Sequence, residues 1–262
     1  MHRAMNSKLA GLGVVALALA AGAAQAEVSS TVTALTDYDF RGITQTGLGP
    51  AFQASLDWSG ESGLYAYLWG SNIDFGDSDE GSTQNVEVDL GLGFAGSFTE
   101  DFGYDVGAVY YEYLGGDNAV ADVNYYEIKG GLNYTEHAST TVWYAPDYGN
   151  SDKSAWYAEA NGDVPLPWWE LGVALHLGYS GGDYWNNADP DSVSDGFYDF
   201  SVGLTRSFGH FDFAVKYVDG SDNKYYDCSR SSVPCGGDAI FSSQSKVVLS
   251  IATTFPWAKP EE

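Results

Sequence analysis

Apolar and polar residues alternate in short runs along almost the whole chain after residue 26, and a period of two specifies strands rather than helices. In the clearest run, Val86, Val88, Leu90, Leu92 and Phe94 share one face, while Glu87, Asp89, Gly91 and Gly93 share the other. The runs 169–177, 198–204 and 211–217 repeat the pattern. No helical period appears downstream of residue 26. No later segment offers the roughly eighteen consecutive apolar residues that a helical membrane span needs.

The alternation places strands near residues 28–40, 51–58, 64–74, 85–96, 103–114, 123–134, 140–148, 154–161, 169–180, 196–206, 210–219 and 244–255. Most approach the roughly 9–11 residues with which a tilted strand crosses a bilayer. Short connections at 59–63, 97–102, 135–139, 162–167 and 207–209 alternate with longer ones at 42–50, 75–84, 115–122, 149–153, 181–195 and 220–243. Short turns at one end, long loops at the other and an even strand number are the layout of an outer-membrane barrel. The predicted fold class is all-β: an antiparallel, transmembrane, up-and-down β-barrel of about 12 strands. A water-soluble barrel of the lipocalin kind is the alternative, but it needs only about eight strands. Its solvent face would also carry more lysine than the glycine, serine and acid present here. Aromatic residues gather towards strand ends, including Tyr38, Phe40, Trp58, Tyr104, Tyr110, Tyr126, Tyr134, Trp169, Tyr179 and Phe255. They are expected to form the two interfacial girdles of such a barrel.

Residues 1–26 have the three regions of a secretory signal peptide: Arg3 and Lys8, an apolar core over 9–21, and Ala24-Gln25-Ala26 as a cleavage site. Residues 27–262 are then a single barrel domain. Removing the signal leaves nine Lys and Arg against 36 Asp and Glu, a formal charge of −27. That balance excludes nucleic acid as a partner, because phosphate binding needs Lys and Arg. It also argues against an electrostatic hold on anionic lipid. The expected surroundings are outer-membrane lipid and lipopolysaccharide. Export implies an oxidising compartment, so Cys228 and Cys235 are expected to form a disulfide in the sixth long loop. No metal site is predicted, since neither cysteine has a His or further Cys at ligand spacing, and the acidic stretches 77–80 and 189–191 do not fit a calcium loop. No cofactor is predicted.

The stretch from Thr36 to Thr46, reading Thr-Asp-Tyr-Asp-Phe-Arg-Gly-Ile-Thr-Gln-Thr, resembles the start of the TorF-like family of bacterial outer-membrane porins. Further matching pieces are Gly63 to Ala66, Trp69 to Phe75, Glu87 to Leu90 and Tyr125 to Ile128. Thr44 stands where the family more often has Ser. The similarity covers about the first hundred residues after the signal and fades later. It implies a barrel and a location, and brings no substrate.

If the apolar faces meet lipid, the alternate residues line the lumen. On that assignment Asp57, Glu87, Asp89, Asp105, Glu127, Lys129, Glu170, His176, Asp199, Asp212, Lys216 and Lys246 point inward. An acidic lumen concentrates cations. The alternative is that these acids pair with Lys129, Lys216 and Lys246 into a filling that only holds the barrel together. In the strand near 64–74, Tyr65, Tyr67 and Trp69 share one face, and Leu64, Ala66 and Leu68 the other. The aromatic set is expected outside as lipid-facing bulk; inside, it would be a stacking platform for solutes. Arg41 is expected to make an ion pair or rim contact beside Asp37 and Asp39. Leu90→Arg and Val202→Arg should each cost about 2–4 kcal/mol at the bilayer midplane, and Gly91→Ser in the lumen far less. No catalytic residue is predicted, because no Ser and His share a lipid-facing surface. The function expected is a channel for passive passage of small polar solutes, cation-preferring. The alternative is a non-conducting structural or surface-interaction barrel.

Overall fold

The computed structural model describes residues 26–75, 77–78, 81–82, 84–115, 122–185, 196–221 and 245–257. Twelve long strands close into one antiparallel barrel: β1 (Ala26–Leu35), β2 (Ala51–Gly60), β3 (Leu64–Asn72), β4 (Val86–Ser97), β5 (Phe102–Leu114), β6 (Tyr125–Tyr134), β7 (Ala138–Ala145), β8 (Ala155–Pro165), β9 (Leu171–Gly181), β10 (Gly196–Phe208), β11 (Phe211–Gly220) and β12 (Lys246–Phe255). Each pairs with its neighbours in sequence, and β1 closes on β12 with Ser30 opposite Phe255 and Leu35 opposite Ser250. All twelve expected strands are present. The expected disulfide between Cys228 and Cys235 lies outside the described residues.

Register carries the alternation round the barrel. Leu68 faces Leu90, Leu90 faces Tyr110, and Val202 lies between Leu175 and Tyr217, so one apolar face continues from strand to strand. That face is the outer one: Phe52, Leu56, Ile128, Leu177 and Val247 each keep half or more of their surface exposed. A continuous apolar exterior of this kind needs lipid, not water. Near the loop end the outer face carries an aromatic on each of seven consecutive strands: Tyr110, Tyr126, Tyr144, Trp156, Tyr179, Tyr198 and Tyr217. At the turn end, Phe102 meets Tyr134 at 5.0 Å and Phe98 meets Tyr104 at 4.8 Å between ring centroids. These are two girdles.

Three expectations about the strands need correction. The first strand was expected to reach residue 40 but stops at Leu35; Tyr38 and Phe40 are inside the barrel and belong to no girdle. The ninth begins at Leu171, because Trp169 (φ 62°) and Glu170 (φ 52°) adopt left-handed backbone that a strand cannot continue through. Glu170 therefore sits in the turn between β8 and β9, beside Glu136, His137 and Arg206, and lines no lumen. The seventh ends at Ala145, before a 3-10 turn over Tyr148–Asn150.

A closed barrel has no unpaired edge at which unravelling can begin. Unboiled protein in SDS is therefore expected to migrate apart from boiled protein. Identical migration would be incompatible with the closure of β1 on β12.

Candidate functional site: the lumen and its inward loop

Residues 36–50, between β1 and β2, do not extend away from the barrel. They turn back into it. A two-residue hairpin pairs Asp39 with Thr44 and Phe40 with Ile43, and Arg41 (φ 54°) and Gly42 (φ 80°) form its tip. Gly42 is required twice over. Its backbone is left-handed, and a Cβ there would lie 2.6 Å from the Asp199 Cβ on the far wall. The base of the loop is tied by its own polar side chains. The Thr44 hydroxyl donates to Asp37 Oδ1, Tyr38 N–H donates to Thr46 Oγ1 at 3.1 Å, and Leu48 N–H donates to Thr44 Oγ1 at 2.9 Å. Asp37, Thr44, Gln45 and Thr46 are consequently buried without being left unpaired.

Two ion-pair anchors pin this loop to the wall. Arg41 makes a bidentate pair with Glu127 on β6, Nη1 to Oε1 at 2.8 Å and Nη2 to Oε2 at 2.6 Å, and the Tyr111 hydroxyl donates to the same carboxylate at 3.0 Å. Lys246 at the start of β12 reaches Asp37 Oδ2 at 2.9 Å and Asp39 Oδ1 at 2.7 Å. Burial pushes the Asp39 carboxyl above its ordinary range, and Lys246 and the Gly42 N–H pull it back. The Arg41 guanidinium also lies over Phe40, Tyr157 and Trp143, at 4.6, 4.4 and 5.7 Å from the ring centroids. Arg41 thus makes an ion pair, one of the two roles expected of it, but with Glu127 inside the lumen rather than beside Asp37 and Asp39 at a rim.

Beside the loop lies a cavity of about 450 Å³ of mixed lining, with Gln53, Glu159, Asn161, His176, Asp199 and Lys216 among apolar neighbours such as Leu35, Val218 and Val248. Its hydrogen bonds form a chain. Asn161 donates its amide N–H to Glu159 Oε2 at 3.3 Å and turns its Oδ1 towards His176 Nδ1 at 2.7 Å; His176 Nε2 lies 2.8 Å from Asp199 Oδ1. The Tyr157 hydroxyl lies 3.1 and 3.2 Å from the two Asp199 oxygens. His176 and Ser201 are cross-strand partners; Asn161 holds Nδ1 of the imidazole, and Nε2 is shared between Asp199 Oδ1 and the Tyr157 hydroxyl, the latter at 2.9 Å.

Of the expected lumen residues, Glu87, Asp89, Glu127 and Asp199 face inward and are buried. Glu87 meets the Tyr38 and Tyr113 phenols, and one oxygen each of Glu87 and Asp89 is buried without a hydrogen-bond partner. Asp105 pairs with Lys129 at 3.0 Å, and Lys246 pairs with the loop. Asp57 and Lys216 border cavities, and Asp212 lies at the turn end, where it accepts from the Ser207 hydroxyl.

Tyr65, Tyr67 and Trp69 face the lumen, against the expected outward placement. The cause lies on the next strand. Tyr65 is paired with Gly93 and Tyr67 with Gly91, and these glycines leave room for the rings to lie along the wall. A Cβ at Gly91 would sit 2.1 Å from Tyr67 Cζ, and one at Gly93 would sit 2.2 Å from Tyr65 Oη. The Tyr65 hydroxyl thereby crosses β4 and donates to Asp105 on β5 at 2.8 Å. Gly91→Ser is consequently not the mild change expected from the alternation alone.

Sequence reasoning placed Asp37 and Asp39 beside Arg41 without their pairing to Lys246, and missed Trp143, Tyr157, Glu159 and Asn161. The last four lie on the face that alternation assigns to the lumen and could have been found by extending it through β7 and β8.

The model for a family described as "Bacterial protein of unknown function (Gcw_chp)" matches residues 19–255. The chain belongs to this family. The family's name differs from that of the TorF-like porins which the N-terminal motif resembles, and its description assigns no activity. No curated protein sequence matches the chain. Among solved structures, it is similar to the KdgM porin in complex with disordered oligogalacturonate, at 9% identity and TM-score 0.48, covering 88% of this chain and all of that one. It is also similar to LpxR from Salmonella typhimurium, at 8% identity and TM-score 0.43, covering 87% of this chain and 99% of that one. The channel DcaP of Acinetobacter baumannii gives 9% identity and TM-score 0.38 over 89% and 98%. The closed barrel rests on this chain's own strand pairing; these likenesses assign no role to any residue.

Proposed function

We propose that this chain is an outer-membrane channel, exported by residues 1–26 and passing small polar solutes with a preference for cations. The observation that carries this reading is the unfilled cavity beside a loop held by ion pairs: an interior built only to hold the barrel together would close that space with paired side chains. The apolar exterior and its aromatic girdles support a bilayer location, with lipid and lipopolysaccharide around the strands. Acids outnumber bases among the inward side chains, and Lys129 and Lys246 are engaged in pairs, which supports cation preference. Reversal potentials across a KCl gradient in planar bilayers test it. A cation-selective value that weakens as salt rises is expected. Anion selectivity would overturn the preference.

The second reading, a non-conducting barrel, is favoured by one observation. Three buried clusters fill parts of the loop-end lumen, around Ile43 and Trp185, around Tyr111 and Tyr125, and around Tyr38 and Ile73. Absence of conductance from protein that is heat-modifiable would decide for it.

A further inference from the structure

At the turn end of the lumen, on the side of β1 to β3, a second cavity of about 530 Å³ is lined by Glu27, Ser29, Asp57, Ser59, Tyr65 and Tyr67, among others. It belongs neither to the inward loop nor to the chain of hydrogen bonds around His176. Two features of its wall specify a ligand chemistry.

The first is the way its rings are laid. The glycines opposite them let Tyr65 and Tyr67 lie along β4 instead of standing across the lumen; Lys129 sits over the Tyr65 ring, and the Tyr67 ring packs in part against the Val109 and Tyr111 cluster and also borders the cavity. A ring face carries the negative side of the aromatic quadrupole and attracts cations.

The second is how this barrel already uses such faces. Lys129 Nζ lies 5.5 Å from the Tyr65 centroid and 5.3 Å from that of Trp143, and Arg41 lies over Phe40, Trp143 and Tyr157. Among the described residues, Tyr67 has no protein cation over its ring. Its cross-strand partner is Asp57, whose carboxylate accepts from Ser55 Oγ at 2.6 Å and has no ion-pair partner among the described residues. A ring face and an unneutralised carboxylate side by side suit a cation that is both charged and polarisable. A small inorganic ion would gain from the carboxylate and little from the ring in its hydration shell; a neutral sugar would leave the charge uncompensated.

We infer that this cavity binds small organic cations, with an alkylammonium head group over the Tyr67 ring and Asp57 as its counter-charge. The inference deepens the cation-preferring channel reading and rests on it for the class of solute. Titration calorimetry with choline chloride tests it, on full-length mature protein extracted folded in detergent. Choline is expected to bind, with equal sodium failing to displace it and glucose giving no heat. Tyr67→Leu and Asp57→Asn should each weaken choline by about tenfold, and Tyr134→Leu on the outer face should leave it unchanged. No choline binding by the wild type, displacement by equal sodium, equal binding of glucose, or unchanged affinity in both variants would each overturn the site. If Tyr67→Leu loses heat-modifiable migration, Asp57→Asn decides alone. Conductance of the same preparation keeps the two readings apart. Choline binding without conductance retains the site and overturns the channel; conductance without choline binding does the reverse.

Discussion

Arg41→Ala should open the lumen, raising single-channel conductance several-fold over the wild type. Arg41 and Glu127 are 10% and 1% exposed, so their bidentate pair is made away from water. Removing one member of a buried pair costs about 3–5 kcal/mol, because the other charge is left without compensation. In the variant, Glu127 would retain, among the described residues, the Tyr111 hydroxyl alone. The docked loop bears that cost, whereas an undocked loop lets water reach Glu127. A penalty of about 3 kcal/mol shifts the docking equilibrium roughly 100-fold. The second anchor, Lys246 with Asp37 and Asp39, resists complete release. Arg41→Ala combined with Lys246→Ala should therefore exceed either change alone. Glu127→Leu added to Arg41→Ala should partly restore docking, since it removes the stranded charge. All these changes are to side chains in the lumen and leave the strand pairing in place, so heat-modifiable migration should persist in every variant. Unchanged conductance in folded Arg41→Ala would show that the loop does not limit passage.

This loop also shows where the sequence stops being informative. The strands are legible because each has one face in lipid and one in the lumen, and that difference imposes a period of two. The first strand stops at Leu35. By sequence, residues 36–40 read as its end and 42–50 as an ordinary polar connection, since Asp, Thr, Gln and Gly serve equally well in water. They are buried here because partners remote in sequence satisfy them: Glu127 is 86 residues from Arg41, and Lys246 lies on the last strand. Nothing local announces such pairs. The β3 aromatics fail for another reason. Both faces of that strand are apolar, so the period is visible but its sign is not. The sign is written on β4, where Gly91 and Gly93 fall on the lumen face of an unambiguous strand. Knowing the register of β3 against β4 turns those glycines into evidence; without it they are only small residues.

Gly91→Ser is expected to destabilise the barrel by about 1–3 kcal/mol, the range for overpacking a filled site. The wall at Gly91 is occupied by the Tyr67 ring, with Cζ, Cε1 and Oη all within 2.7 Å of where a Cβ would stand. Backbone on one side and cavity on the other leave the ring one way to yield, into the lumen. The loss should therefore depend on Tyr67. In a Tyr67→Ala background, Gly91→Ser should cost almost nothing, giving a coupling energy near the whole single-variant loss. On the outer face the physics differs. Val202 keeps 49% of its surface exposed between Leu175 and Tyr217, so Val202→Arg meets lipid and should cost about 2–4 kcal/mol whatever stands at residue 67. Gly130 also faces outward and has no atom within 4 Å of a built Cβ, so Gly130→Ser should be close to neutral. Reversible unfolding by guanidinium in lipid vesicles measures all four changes. Additivity of Gly91→Ser with Tyr67→Ala would contradict the flat-lying ring, and with it the ring face that the turn-end cavity offers a cation.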